Sequence, residues 1–231
     1  MQPHKQTILL AFSALSILSV TLQAEKFTEY FKDGIVKSQI EYKKGTRTET
    51  NEGIKEGTEK IYYNTGQLAY EVKNVDGKRE GPLNWYDRKG NHLEVIHYKQ
   101  GKRHGVNKTF YANGILRSEV HYADDKKEGV EKEYFDNGQL AKKVNYLHGK
   151  KEGVEKEFDL QGHLYSTVTY RNHYKEGTKK WFDKEGKVIR TMRYKMDRPV
   201  DVMKKIQTPK PDTQIKALQR LDFNPNSRKL H

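Results

Sequence analysis

The stretch Lys127-Glu128-Gly129-Val130-Glu131-Lys132-Glu133-Tyr134-Phe135-Asp136-Asn137-Gly138-Gln139-Leu140-Ala141-Lys142-Lys143-Val144-Asn145-Tyr146-Leu147-His148-Gly149-Lys150 decides the fold. Two β-type runs, residues 130–135 and 139–146, flank the turn Asp136-Asn137-Gly138. Asn-Gly between such runs predicts a hairpin, because both residues tolerate positive φ. In the second run Leu140, Val144 and Tyr146 share one parity, with polar residues mostly between. That period of two marks a half-buried strand, and no helical stripe competes with it. Residues 147–153 are polar and glycine-bounded, and lead into the next hairpin.

The pattern repeats in both directions. Gly57, Gly81, Gly105, Gly129, Gly153 and Gly177 are 24 residues apart, as are Gly66, Gly90, Gly114, Gly138, Gly162 and Gly186. Five residues after the first glycine stands an aromatic: Tyr62, Tyr86, Phe110, Tyr134, Phe158, Phe182. Fifteen after it stands Val72, Ile96, Val120, Val144, Val168 or Met192. Seventeen after it stands Tyr98, Tyr122, Tyr146, Tyr170 or Tyr194, with Asn74 the exception. Such columns, held over six copies without one insertion, establish a repeat array. A partial seventh copy lies upstream (Tyr30, Gly34, Val36, Ile40, Tyr42), set off by about eight extra residues within 46–54 that read as a loop insertion.

Stacked hairpins predict an all-β fold: an antiparallel meander of about 14 strands in a single twisted or trough-shaped sheet. The aromatic, aliphatic and tyrosine columns are expected on one face, each copy burying them against its neighbours. This accounts for the composition. Hydrophobic residues make up 34% and charged residues 32% of 231, which suits a disordered chain, yet there are 15 Tyr, 8 Phe and 2 Trp. A sheet with one apolar face needs fewer hydrophobic residues than a globule.

The repeat resembles the MORN repeat in its bacterial variant form. Lys127-Glu128-Gly129, Tyr134-Phe135, Asn137-Gly138, Gln139-Leu140, Val144, Tyr146 and Gly149 carry the resemblance. Departures are His92 in place of Leu, His104 in place of Glu, and Asp125, His173 and Asp197 in place of the last Gly. The resemblance covers about residues 25–198 and implies an elongated hairpin sheet used for protein–protein or membrane-associated contact. Bacterial proteins of this pattern are often described as antitoxin components of the YwqK type. Such a role fits an exported chain only as an immunity or neutralising protein.

Export is expected from the N-terminus. Lys5 precedes the apolar run from Ile8 to Leu22, and Gln23-Ala24 leads into a charged chain. This is the layout of a signal peptide, with cleavage after Ala24. The run is short of the roughly 18–20 residues that span a bilayer. The expected organisation is therefore a signal peptide at 1–24, partial repeat and insertion at 25–54, six repeats at 55–198, and a tail at 199–231. In the tail, Thr208-Pro209-Lys210-Pro211 reads as a rigid linker and 213–221 as a short capping helix, with Ile215, Leu218 and Leu221 on one side. A bacterial envelope location, periplasmic or secreted, follows from the leader.

No catalytic constellation emerges. Absence of Cys excludes disulfides, thiolate metal sites and Cys nucleophiles. Ser38, Ser118, Ser166 and Ser227 lie in no Gly-x-Ser-x-Gly elbow. His97 and His121 share a column, but equivalent positions one repeat apart lie about 10 Å apart and lack a third ligand. The glycines are spaced for turns rather than phosphate binding. The expectation is a non-enzyme with no cofactor and no metal.

The net charge of +13 concentrates at the junctions between copies: Lys78-Arg79, Lys102-Arg103, Lys126-Lys127 and Lys150-Lys151. Repetition aligns these pairs along one edge. They read either as a stripe for anionic lipid, lipopolysaccharide or acidic polymer, or as an edge that Lys keeps soluble. Nucleic acid is not expected, since no recognised module is present. Trp85 and Trp181 break a column that holds Ile61, Thr109, Glu133 and Glu157, and so stand out as candidate contacts with a partner protein.

Overall fold

The repeat uses two different turns, and their chemistry sets everything above them. Within a copy, the Phe135 amide donates to the Gln139 carbonyl at 2.8 Å and the Gly138 amide to the Phe135 carbonyl at 2.9 Å. Only Gly138 has positive φ, at 84°. Asn137 instead accepts the Gln139 amide on Oδ1 at 3.0 Å. The turn Asp136-Asn137-Gly138 is therefore a three-residue loop closed by a left-handed glycine, and Asn137, although it tolerates positive φ, does not adopt it. Two-residue turns occur at the junctions. His148 and Gly149 have consecutive φ of 51° and 86°, the signature of a type I′ hairpin. Asp124-Asp125, Asn172-His173 and Met196-Asp197 hold the same left-handed pair without glycine.

The computed structural model describes residues 24–200 and the backbone of 204–205. The expected signal peptide, apart from Ala24, and the capping helix lie outside the described residues. The strands are β1 (Glu25–Tyr30), β2 (Val36–Tyr42), β3 (Lys55–Tyr62), β4 (Leu68–Val75), β5 (Lys78–Tyr86), β6 (His92–Lys99), β7 (Lys102–Arg103), β8 (Gly105–Phe110), β9 (Leu116–Ala123), β10 (Lys126–Tyr134), β11 (Leu140–Leu147), β12 (Lys150–Phe158), β13 (Leu164–Arg171), β14 (Tyr174–Phe182), β15 (Val188–Lys195), β16 (Arg198–Pro199) and β17 (Lys204–Lys205). All seventeen belong to one open antiparallel sheet, and no helix occurs among the described residues. Successive strands pair in chain order. β7 and β8 both pair with β6, on either side of His104, and β16 and β17 both pair with β15.

Register explains which columns share a face. In β12/β13, Gly153 lies opposite Tyr170, Glu155 opposite Val168 and Glu157 opposite Ser166. The even positions after the glycine therefore share a face with the aliphatic and tyrosine columns. The first aromatic column is odd and faces the other way: the Tyr134 hydroxyl bonds Glu119 at 3.1 Å and the Tyr62 hydroxyl bonds Gln39 at 3.2 Å. This corrects the expectation that all three columns line one face. We call the valine and tyrosine face inner and the other face outer.

Val72, Leu83, Val144 and Val168 are at most 2% exposed on the inner face of a single layer. The face's own long side chains cover them. A bulge at the first glycine makes this reach feasible. Between β11 and β12, Lys143 pairs with Lys156 and Asn145 with Glu152, so Gly153, Val154 and Glu155 together oppose the single Val144. Junction turns are tied back to the strand that opened their copy: the Gly149 amide donates to the Lys127 carbonyl at 2.8 Å and the His148 amide to Glu128 Oε2 at 2.8 Å.

The insertion closes the N-terminal end of the inner face. Lys43 N donates to the Ile54 carbonyl at 2.8 Å. Arg47 lies 4.7 Å from the Tyr42 ring centre, 4.8 Å from that of Phe27 and 3.5 Å from Glu29. A repeat array needs such an end cap.

Candidate functional site

On the inner face, each junction pair contributes its second cation to packing. Lys127, Lys151 and Lys175 sit 4.8, 4.7 and 5.4 Å from the ring centres of Tyr146, Tyr170 and Tyr194, and Arg79 and Arg103 sit 5.4 and 4.3 Å from those of Tyr98 and Tyr122. Lys127 and Lys151, and Lys55 in the first copy, also hold buried carboxylates. Lys55 bonds Glu59 at 2.7 Å, Lys151 bonds Glu155 at 2.6 Å, and Lys127 bonds Glu131. Glu59, Glu131 and Glu155 are 3, 8 and 4% exposed, and in the second copy Leu83 takes their place at 1%.

The next inner row alternates charge. Glu133 lies opposite Lys142, and Lys142 opposite Glu157. Burial alone would push the Glu157 carboxyl up. The Lys179 ammonium at 3.2 Å, the Ser166 hydroxyl and Lys142 outweigh it and hold the group below the usual glutamate range. Burial and the Glu131 carboxylate push the Tyr146 hydroxyl up, so it remains a donor.

The eight junction cations therefore divide. Lys78, Lys102, Lys126 and Lys150 are exposed on the outer face, whereas Arg79, Arg103, Lys127 and Lys151 are half-buried on the inner face. Trp85 and Trp181 both sit half-buried in the inner row. Trp85 stacks on Tyr70 with ring centres 5.0 Å apart. Trp181 lies against Arg190 at 4.5 Å and Lys179 at 5.1 Å.

A second lysine column joins the exposed junction lysines on the outer face: Lys60, Lys108, Lys132, Lys156 and Lys180, with Asn84 in the second copy. Sequence reasoning missed it. Its signal was the same 24-residue period, but only the pairing register shows which face the column takes. Two of these lysines meet carboxylates: Lys60 to Glu71 at 3.6 Å and Lys132 to Glu119 at 2.8 Å. Between the two lysine lines the outer face exposes Val106, Val130 and Val154 at 40, 46 and 48%.

A pocket of about 420 Å³ lies under the insertion, lined by Glu29, Tyr42, Arg47, Glu49, Glu52 and Lys55 among others. Arg47 pairs with Glu29 within it. Among the described residues no group of three or more His, Cys, Asp or Glu is placed to hold a metal ion.

Comparison with known proteins follows the repeat. Two solved structures are similar over part of the chain. One is TarM, from S. aureus, as a variant in complex with fondaparinux, alpha-GlcNAc-glycerol and UDP (13% identity, TM-score 0.30, 42% of this chain and 19% of that one). The other is a second TarM structure (13% identity, TM-score 0.28, 41% of this chain and 20% of that one). This chain spans about one fifth of their length, and likeness at that level carries no argument. A search of curated proteins found no match. The MORN repeat variant pattern matches residues 26–44, 55–74, 103–124, 127–148, 151–172 and 175–196. It passes over the second copy, where β5 and β6 nevertheless keep the register of the others. With more than half of its length so matched, the chain belongs to the MORN repeat variant family, whose repeats serve as modules for binding or interaction.

Proposed function

We propose that this chain is a non-catalytic binding scaffold that engages a protein partner of acidic surface through the outer face of its sheet. The observation that carries this reading is the sorting of charge by the sheet. Inner-face cations are spent on tyrosine rings and buried carboxylates, while the outer face keeps two lines of lysine with exposed valines between them. The leader-like residues 1–24 support export into a bacterial envelope, and a neutralising or immunity role would suit an exported scaffold. A second reading is contact with an anionic membrane or envelope polymer. It is favoured by Lys78, Lys102, Lys126 and Lys150 lining one edge.

The test is binding of the full chain to an immobilised acidic polypeptide, to anionic vesicles and to neutral vesicles across a salt series. Binding to the anionic probes should fade as the Debye length falls from about 10 Å to about 3 Å. Absence of binding to every anionic probe in low salt would remove the reading.

A further inference from the structure

One register row crosses the outer face without interruption. Lys132 lies opposite Lys143, Lys143 opposite Lys156, Lys156 opposite Thr167, and Thr167 opposite Lys180. Like charges directly opposite each other destabilise a sheet. Here Lys143 and Lys156 are such a pair, both exposed, and among the described residues no carboxylate forms an ion pair with Lys143, Lys156 or Lys180. The fold does not force this. One residue away on the same strands, the inner row sets Glu133, Lys142 and Glu157 in alternating sign. Earlier in the same row, Glu71 and Glu119 neutralise Lys60 and Lys132. Within this row Lys143, Lys156 and Lys180 of β11 to β14 form one line without an ion pair among the described residues, and beside it run the exposed Val130 and Val154.

We propose that this row binds an extended acidic polypeptide segment of the partner, laid across the strands with a carboxylate at every third residue. The assignment rests on the outer-face reading above and names its ligand. Strands are about 4.8 Å apart, so Lys156 and Lys180, two strands apart, are separated by about 9.6 Å. A polyproline II segment rises about 3.1 Å per residue with three residues per turn, and so repeats its side chains about every 9.3 Å. Acidic residues at that period meet successive lysines, while an intervening apolar residue can rest on Val130 or Val154. A planar anionic surface would draw equally on the edge lysines Lys102 and Lys126, so a single sensitive row separates the two ligands.

The probe is a Glu-Pro-Val repeat peptide, compared with a scrambled peptide of the same composition and with anionic vesicles, against the full chain at low salt. The repeat peptide should bind at least about tenfold tighter than the scramble. The double change Lys156→Glu and Lys180→Glu should weaken it by about tenfold or more. Lys156→Gln with Lys180→Gln should do the same to a smaller degree, which excludes a simple folding defect. Lys102→Glu with Lys126→Glu should change it by less than about twofold. Equal binding of the scramble, equal loss from the edge changes, or binding of vesicles alone overturns the row assignment and leaves the outer-face reading standing. Absence of binding to any anionic probe overturns both.

Discussion

Lys151 and Glu155 are four residues apart on one strand, yet their charged groups meet at 2.6 Å. A regular strand would separate such residues by about 13 Å. The bulge at Gly153 closes that gap, because three residues there oppose the single Val144. In the fourth and fifth copies the glycine bulge thus places a cation over a tyrosine and a carboxylate beneath it.

That arrangement predicts an asymmetry between single and paired changes. Glu155→Ala removes the partner of Lys151 and opens space beside Val168. Lys151 keeps a path to solvent, so the expected loss is at or below the about 3 kcal/mol at which breaking fully buried pairs begins. Glu155→Leu combined with Lys151→Met should be near neutral, since Leu83 already fills the same column at 1% exposure. Urea midpoints of both variants check it. A double change as damaging as the single one would contradict the account.

Acid should loosen the inner face. The Glu157 carboxyl is held below its ordinary value in the folded chain, so its contribution is fully present above the unfolded glutamate range near 4.5 and is lost as pH falls through the lower folded value. Thermal midpoints measured from pH 7 downward should fall below about pH 4.5. Glu157→Gln should flatten part of that dependence.

The two turns should tolerate different substitutions. Gly149 occupies a junction position that Asp125, His173 and Asp197 fill in other copies, all with positive φ. Gly149→Asn should cost less than about 0.5 kcal/mol. Gly138, at φ 84° in a column that is glycine in all six copies, should lose about 1–2 kcal/mol as Gly138→Ala. Chemical denaturation of each variant reads the difference.

Turn capping gives a local readout. Glu128 Oε2 accepts the His148 amide at 2.8 Å, and Glu56, Glu80, Glu152 and Glu176 do the same for their own junctions. His104 takes that position in the third copy and instead lies 3.7 Å from Asp124. Glu128→Ala should raise hydrogen exchange at the His148 amide and cost about 1 kcal/mol. An unchanged exchange rate would mean that the cap contributes nothing.

Much of the architecture was legible in the chain itself. Gly129 and Gly138, with their equivalents every 24 residues, specify where hairpins form, and the alternation of Leu140, Val144 and Tyr146 specifies strands. The insertion between Tyr42 and Lys55 was visible as a break in period, but Arg47's role over Tyr42 was not, since nothing local says where a loop folds back. Asn137-Gly138 marked the hairpin because both residues tolerate positive φ. Only Gly138 takes positive φ there, and the consecutive left-handed pair of a two-residue turn lies at His148-Gly149, which no local pattern had marked.

The period, the strands and the amount of positive charge follow from the chain alone, because turn chemistry and alternation are properties of neighbouring residues. What each charge does depends on the fold. Lys150 and Lys151 are adjacent and chemically alike, yet one is exposed and the other rests on Tyr170 beside Glu155. Lys142 meets Glu133 and Glu157, while Lys143 meets Lys132 and Lys156. A strand sends successive side chains to opposite faces, and the partners waiting there come from strands whose register no local pattern encodes.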